Sequence, residues 1–208
     1  MVQNKVGRPR KFDRETALSA AVEVFWTKGY DGSSLGDLTN AMGINRPSLY
    51  STYGDKHTLY LAALAFYGSS VGCAPLAAFE AEASPEKAVR AFFETLLENQ
   101  TRPGNLAQGC LLASCAATTA GEVQGVTEIL AAGTAATVEK LTNGFEIFIG
   151  KSQLPPKFPS KVKARLLLDI MQGYAYRART GEPRQNLFAE IDQKVEQVIA
   201  IGEVDVGK

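Results

Sequence analysis

Apolar positions along this chain recur at helical spacing, and no segment alternates in the manner of a strand. Leu18, Ala21, Val22 and Phe25 form one stripe behind Asp13, an N-cap candidate, which predicts a first helix to about Lys28. Trp26 adjoins that stripe as a packing residue. Ser34 caps a second helix with Leu35, Leu38 and Met42 on one face. Gly43 follows at a helix end, where a left-handed residue is often needed. Ile44 plugs the angle between two helices. Asn45 caps a third, with Pro47 in its first turn and Leu49 pointing inward. Asp55 caps a fourth helix running to about Ser70, before a break at Gly72-Cys73-Ala74-Pro75.

The remainder continues in the same way. Ser84-Pro85-Glu86 starts a helix reaching Asn99, with Val89, Phe92, Phe93, Leu96 and Leu97 apolar. A loop spans 101–109. A short helix is expected from Cys110 to Thr119, and a long one from Glu122 to Ile149, softened by Gly125, Gly133 and Gly144. Lys151 to Ser160 holds three prolines and reads as a connection. Lys161–Arg179 and Asn186–Ile201 are the last two helices, which makes about nine in an all-α chain.

The short second and third helices around Gly43 have the form of a helix-turn-helix. Arg46, Ser48, Tyr50 and Ser51 are free to face outward, and such residues on a recognition helix enter the major groove while neighbours hold phosphates. Lys56, at the start of the fourth helix, suits a phosphate. A helical hairpin inside a core is the plainer alternative for these residues.

From Arg14 to about Leu61 the chain resembles the TetR family of bacterial transcription regulators. The resemblance rests on Ala17, Ala21, Val24 and Phe25, then Lys28-Gly29-Tyr30, Ser33-Ser34-Leu35, Leu38, Ala41, Gly43 and Ile44. Its most specific piece is Leu49-Tyr50-Ser51-Thr52-Tyr53-Gly54-Asp55-Lys56, where the family usually has Leu-Tyr, an aromatic three residues on, and Lys. Thr39 and His57 depart from the family's usual Ala and Glu. The resemblance implies a three-helix DNA-binding domain over 1–55 and a helical ligand-binding and dimerisation domain over 56–208. It implies DNA contact by Ser33, Ser34, Asn45, Arg46, Pro47, Ser48, Tyr50, Ser51, Tyr53 and Lys56.

The formal net charge is zero over 208 residues, so the distribution of charge matters more than its sum. Lys5, Arg8, Arg10, Lys11 and Arg14 stand against one acid, Asp13, in the opening stretch. This basic arm either reaches the minor groove through Arg8 and Arg10 or is a solvated terminus. No signal peptide and no uninterrupted membrane-length apolar run stands out, and the three cysteines are an odd count. A cytoplasmic protein with no membrane partner is expected.

Two apolar faces close the chain. One holds Leu166, Leu167, Ile170, Met171, Tyr174 and Ala178; the other holds Leu187, Phe188, Ile191, Val195, Val198 and Ile199. From the residues alone they either complete the core or pair with a second copy. The resemblance implies a four-helix homodimer interface, with Leu166, Ile170, Gly173, Tyr174, Phe188, Ile191, Val195 and Val198 in it. Two-fold symmetry then implies a palindromic operator, with reading heads roughly 34 Å apart.

Gln108-Gly109-Cys110-Leu111 resembles a Gly-Cys-Leu motif in one TetR branch, some of whose members sense electrophiles or oxidants. Cys110 is either such a thiol or a small packed residue. The resemblance also implies a small-molecule effector pocket. Phe92, Leu96, Cys110, Ser114, Phe145, Phe148, Met171 and Tyr174 are candidate walls and equally good core residues. The scarcity of charge among them favours an apolar or neutral effector.

The single histidine, His57, and the absence of metal-ligand spacing, phosphate loops or nucleophile–base sets argue against an enzyme. No cofactor, no metal and no catalytic residue is expected. The leading expectation is a homodimeric repressor that binds double-stranded DNA and is released by its effector. The alternatives are a Cys110-based redox or electrophile sensor and a helical adaptor that does not bind DNA.

Overall fold

The computed structural model describes residues 13–102 and 109–201, which form ten α-helices and no strand among the described residues. Helix α1 (Arg14–Gly32) begins where the Asp13 carboxylate accepts from the Glu15 N–H. Its regular part stops at Lys28, because Gly29 takes φ 73° and ψ 179°. Helix α2 (Leu35–Met42) starts from a capping box: Ser34 Oγ accepts from the Asp37 N–H, and the Asp37 carboxylate accepts from the Ser34 N–H. Gly43 closes it in the left-handed conformation, φ 65°. Helices α3 (Arg46–Tyr53) and α4 (Lys56–Ser69) are capped by Asn45 and Asp55.

Three departures from the sequence pattern follow. The expected break at Gly72–Pro75 contains the start of α5 (Ala74–Glu80). Pro75 sits in the first turn, where a missing N–H costs nothing, and the helix buries Leu76 and Phe79. Beyond α6 (Pro85–Gln100), the expected short helix at Cys110–Thr119 is a π-turn, Leu111–Cys115, followed by a 3-10 turn, Ala116–Thr119. Here Ser114 Oγ accepts from the Cys110 N–H at 3.1 Å, a side-chain bond that competes with a regular helical ladder. The expected final helix is two, α9 (Arg184–Ala189) and α10 (Ile191–Ile199), with Glu190 between them. The Glu190 carboxylate is held by Arg177 of α8 (Ser160–Arg179) at 2.6 Å.

Helix α7 (Val126–Gly150) runs through Gly133 and Gly144 without a break, starting later than the sequence pattern suggests. Gly144 is required for packing: a Cβ there would overlap the ring of Phe79.

Buried side chains form two clusters. One joins α1 to α4 with Leu111, Cys115, Ala116 and Val126. The other joins α5 to α10, with Phe92, Phe93, Phe145 and Phe158 among its rings. Packing therefore draws α4 into the core of the N-terminal helices through Leu59, Tyr60, Ala63, Leu64 and Tyr67. The stretch 56–80 is apolar enough by length and composition to cross a membrane, but a break at Ser70–Cys73 divides it into α4 and α5, both packed on neighbouring helices.

Candidate nucleic-acid interface

Helix α3 is held from its inner side. Leu49 is fully buried, and the Tyr53 hydroxyl donates to the Arg14 carbonyl at 3.2 Å. The Arg14 guanidinium lies 5.8 Å from the Tyr53 ring centre. At the start of the helix Asn45 Oδ1 accepts from the Ser48 N–H at 2.9 Å. With one face buried and one end capped, the outer face presents Arg46, Pro47, Tyr50 and Ser51 to solvent. Tyr50 is 50% exposed, unusual for an aromatic ring on a well-packed helix. Ser48 is half-buried, and the Ser51 hydroxyl donates to its carbonyl.

Lys56 is at the N-terminus of α4 with its ammonium 4.5 Å from the centre of the Tyr30 ring, a cation–π contact that fixes its direction. Ser34 is exposed but committed to the Asp37 carboxylate, to which its hydroxyl donates at 2.7 Å. Lys28 reaches the same carboxylate at 2.5 Å and ties α1 to α2. The bond from Lys28, with the N–H and hydroxyl of Ser34, holds the Asp37 carboxyl well below its usual range. Nothing in the sequence pattern flags this pair, since nine positions separate the residues across a kink.

Two expected backbone-gripping residues are turned inward. Ser33 is 2% exposed and its hydroxyl donates to the Tyr30 carbonyl, closing the end of α1. Tyr53 is buried between α3 and α1. Both serve the scaffold: Ser33 bonds a carbonyl three residues back, and Tyr53 ties α3 to the start of α1. Arg8 and Arg10 lie outside the described residues. His57 contacts the Gln124 carbonyl through Nε2 at 2.8 Å.

A cavity of about 460 Å³ opens among α4, α6, α7, α8 and the π-turn. Of the candidate wall residues, Phe92, Leu96, Cys110 and Met171 line it. The other candidates do not. Phe145 and Phe148 pack edge-on to Phe79, Tyr174 is buried edge-on to Phe93, and Ser114 is bonded to the Cys110 backbone. Tyr67 and Gln100, which the sequence pattern does not single out, are also walls. The Tyr67 hydroxyl donates to Cys110 Sγ at 3.5 Å, and burial pushes its own pKa up. Gly109, at φ 83°, lets the π-turn lie on α8: a Cβ there would stand 2.5 Å from the Ala175 carbonyl oxygen.

The expected interface residues divide by helical phase. Tyr174, Ile191, Val195 and Val198 are buried within the chain's own core, so they are not available to a partner. Leu166 and Ile170 are half-exposed and Gly173 is exposed. They share a face of α8 with Val162, 64% exposed, and Tyr176, 69% exposed. Phe188 is half-buried beneath the Arg184 guanidinium.

An all-α chain with a capped, outward-facing second helix in a helix-turn-helix, joined to a helical body with an apolar cavity, has the architecture of a one-component transcription regulator. The family model described as "Bacterial regulatory proteins, tetR family" matches residues 17–63. The solved structure of CifR, a TetR family transcriptional regulator in cysteine-substituted form complexed with 26 bp double-strand operator DNA, is 30% identical with a TM-score of 0.82. That match covers 91% of this chain and 98% of the CifR chain. The HTH-type transcriptional repressor ComR of Escherichia coli (strain K12) is 29% identical over 187 residues, 89% of each chain. The HTH-type transcriptional regulator YezE of Bacillus subtilis (strain 168) is 38% identical over 111 residues, 53% of this chain and 57% of YezE. The chain belongs to the TetR family of bacterial transcription regulators.

Proposed function

We propose that this protein is a homodimeric transcriptional repressor in the cytoplasm, that α3 reads an operator in the major groove, and that a small molecule in the body releases it. The observation that carries the proposal is the capped, buried-backed α3 with Arg46 and Tyr50 facing solvent. The operator-bound CifR structure and the repressor ComR support the same role. Arg46, Ser48 and Tyr50 approach bases or adjacent phosphates. Ser34, Ser51 and Lys56 contact the backbone, with Asn45 and Pro47 setting the helix start. Dimerisation uses the Val162–Leu166–Ile170–Gly173–Tyr176 face of α8, which is apolar and exposed in the single chain. No catalytic role is proposed for any residue.

The test is a salt-titrated gel shift on DNA from upstream of the protein's own gene, with random DNA as competitor. Competitor-resistant binding that falls steeply with salt and disappears in Arg46→Ala/Tyr50→Ala supports the proposal. Equal loss of specific and random binding in Arg46→Ala would count against base reading.

A second proposal rests on Cys110, whose thiol lines the cavity under the Tyr67 hydroxyl. An electrophile entering the cavity would alkylate Cys110 Sγ, with the thiol proton lost to solvent. Cys115, by contrast, is buried, donates to the Trp26 carbonyl and has its pKa pushed up by burial. Operator release by an alkylating agent that persists in Cys110→Ser would exclude Cys110 as the sensor.

A further inference from the structure

The cavity has a chemical selectivity of its own. Of its wall residues among the described chain, Lys140 alone carries a charge, and that side chain is exposed at the α7 edge. Leu64, Phe92, Leu96, Leu168 and Met171 are among its apolar walls. The volume, about 460 Å³, is that of a pocket for a compact organic molecule. One wall residue breaks the apolar pattern in depth. Gln100, the last residue of α6, is 2% exposed, and its Oε1 is buried with no hydrogen-bond partner among the described residues. A buried amide oxygen without a donor is costly, and such groups persist where something outside the fold's own ladder satisfies them.

We propose that the cavity takes an uncharged, predominantly apolar ligand bearing one hydroxyl or amide N–H, and that this group donates to Gln100 Oε1. Gln100 is the specificity-determining residue. A carboxylate ligand is disfavoured because the walls offer an anion no buried cation, and Lys140 is already solvated. The ligand lies against Tyr67, whose ring packs edge-on to Trp26 of α1 at 5.1 Å between centroids. Trp26 is the only tryptophan in the chain, so its emission is a probe of the cavity through its contact with Tyr67.

This inference concerns the effector site of the proposed regulator, yet ligand binding is measured without DNA, and operator binding without ligand. A failure of either is thus separable from a failure of the other. The probes are hydrocinnamyl alcohol, its methyl ether and hydrocinnamate, which share one apolar body and differ in donor and charge. Their dissociation constants are read from Trp26 fluorescence on the full chain and on Gln100→Leu. The alcohol is expected to bind wild type at least about tenfold tighter than the ether, since a site built to pair a polar group rejects the analogue lacking it. In Gln100→Leu the two are expected to bind alike. The apo variant is expected to melt no lower than wild type, because an unpaired acceptor has been removed from the interior. Equal affinities for alcohol and ether in wild type would overturn the proposal. So would a preference that survives Gln100→Leu, tightest binding by hydrocinnamate, or no binding by any of the three. A drop in the melting temperature of apo Gln100→Leu would assign Gln100 to the scaffold instead.

Discussion

Tyr50 and Tyr53 are three residues apart on α3 and differ completely in what they touch. Tyr53 donates to the Arg14 carbonyl and is buried, whereas Tyr50 is half in solvent. Tyr53→Phe removes one hydrogen bond and is expected to cost about 1 kcal/mol in urea unfolding. Tyr50→Ala is expected to leave the melting temperature within a degree or so, since surface changes are typically neutral, while weakening operator binding in a gel shift. Asp37 gives a pH test. Its folded-state pKa is depressed by Lys28 and Ser34, so its contribution is fully present above the ordinary carboxylate range and is lost as pH falls below it. Asp37→Asn is therefore expected to flatten the loss of stability on acidification below about pH 4, measured by denaturant melts across pH. A variant whose acid limb matches wild type would show that the Lys28 pair contributes nothing. The capping residues were legible in the sequence because a cap is local. The Lys28–Asp37 pair was not, because it depends on how α1 turns at Gly29.

Elements here are set as much by their ends as by their faces. Asn45→Ala is expected to destabilise the protein by about 1 kcal/mol through loss of the α3 cap, and to weaken operator binding as the start of α3 frays. Circular dichroism and a gel shift on the same variant check both parts. Gly109 sets the lie of the π-turn. Gly109→Ala meets both a φ of 83° and the Ala175 carbonyl, so it is expected to lower the melting temperature by several degrees. An unchanged melt would mean that the turn can move off α8. Periodicity predicted the long helices well. It missed α5, because Pro75 reads equally as a breaker or as a first-turn residue, and burial of Leu76 and Phe79 decides which. It also merged α9 and α10, since the Arg177 contact that anchors Glu190 comes from α8.

For the whole molecule, the phase of α8 separates core from the exposed apolar face proposed for dimerisation. Ile170→Glu places a charge on the exposed apolar face and is expected to yield a folded monomer with reduced operator affinity. Analytical ultracentrifugation and gel shift read the two effects. Val198→Glu, on a residue fully buried in the monomer core, is expected to unfold the chain instead. A dimeric Ile170→Glu protein would move the interface elsewhere. The two clusters are also tied together. The Trp26 carbonyl, in the last turn of α1 before Gly29, accepts from Arg179 of α8 at 3.2 Å and from Cys115 Sγ at 3.4 Å. These bonds connect α8 and the π-turn to α1, which in turn holds α3 through the Tyr53–Arg14 bond.

The sequence by itself determined the all-α class, the position of the helix-turn-helix, its caps and its glycine turn. Each depends on residues within one or two turns of one another, where spacing and side-chain chemistry suffice. Only the tertiary structure decided which apolar residues fill the core, which line the cavity and which stay exposed. An apolar residue at helical spacing satisfies all three roles equally until the neighbouring helices fix the rotation of each face. Phe92 and Phe145 look alike in the sequence. One lines the cavity and the other packs on Phe79, because α6 and α7 meet their neighbours at different rotations.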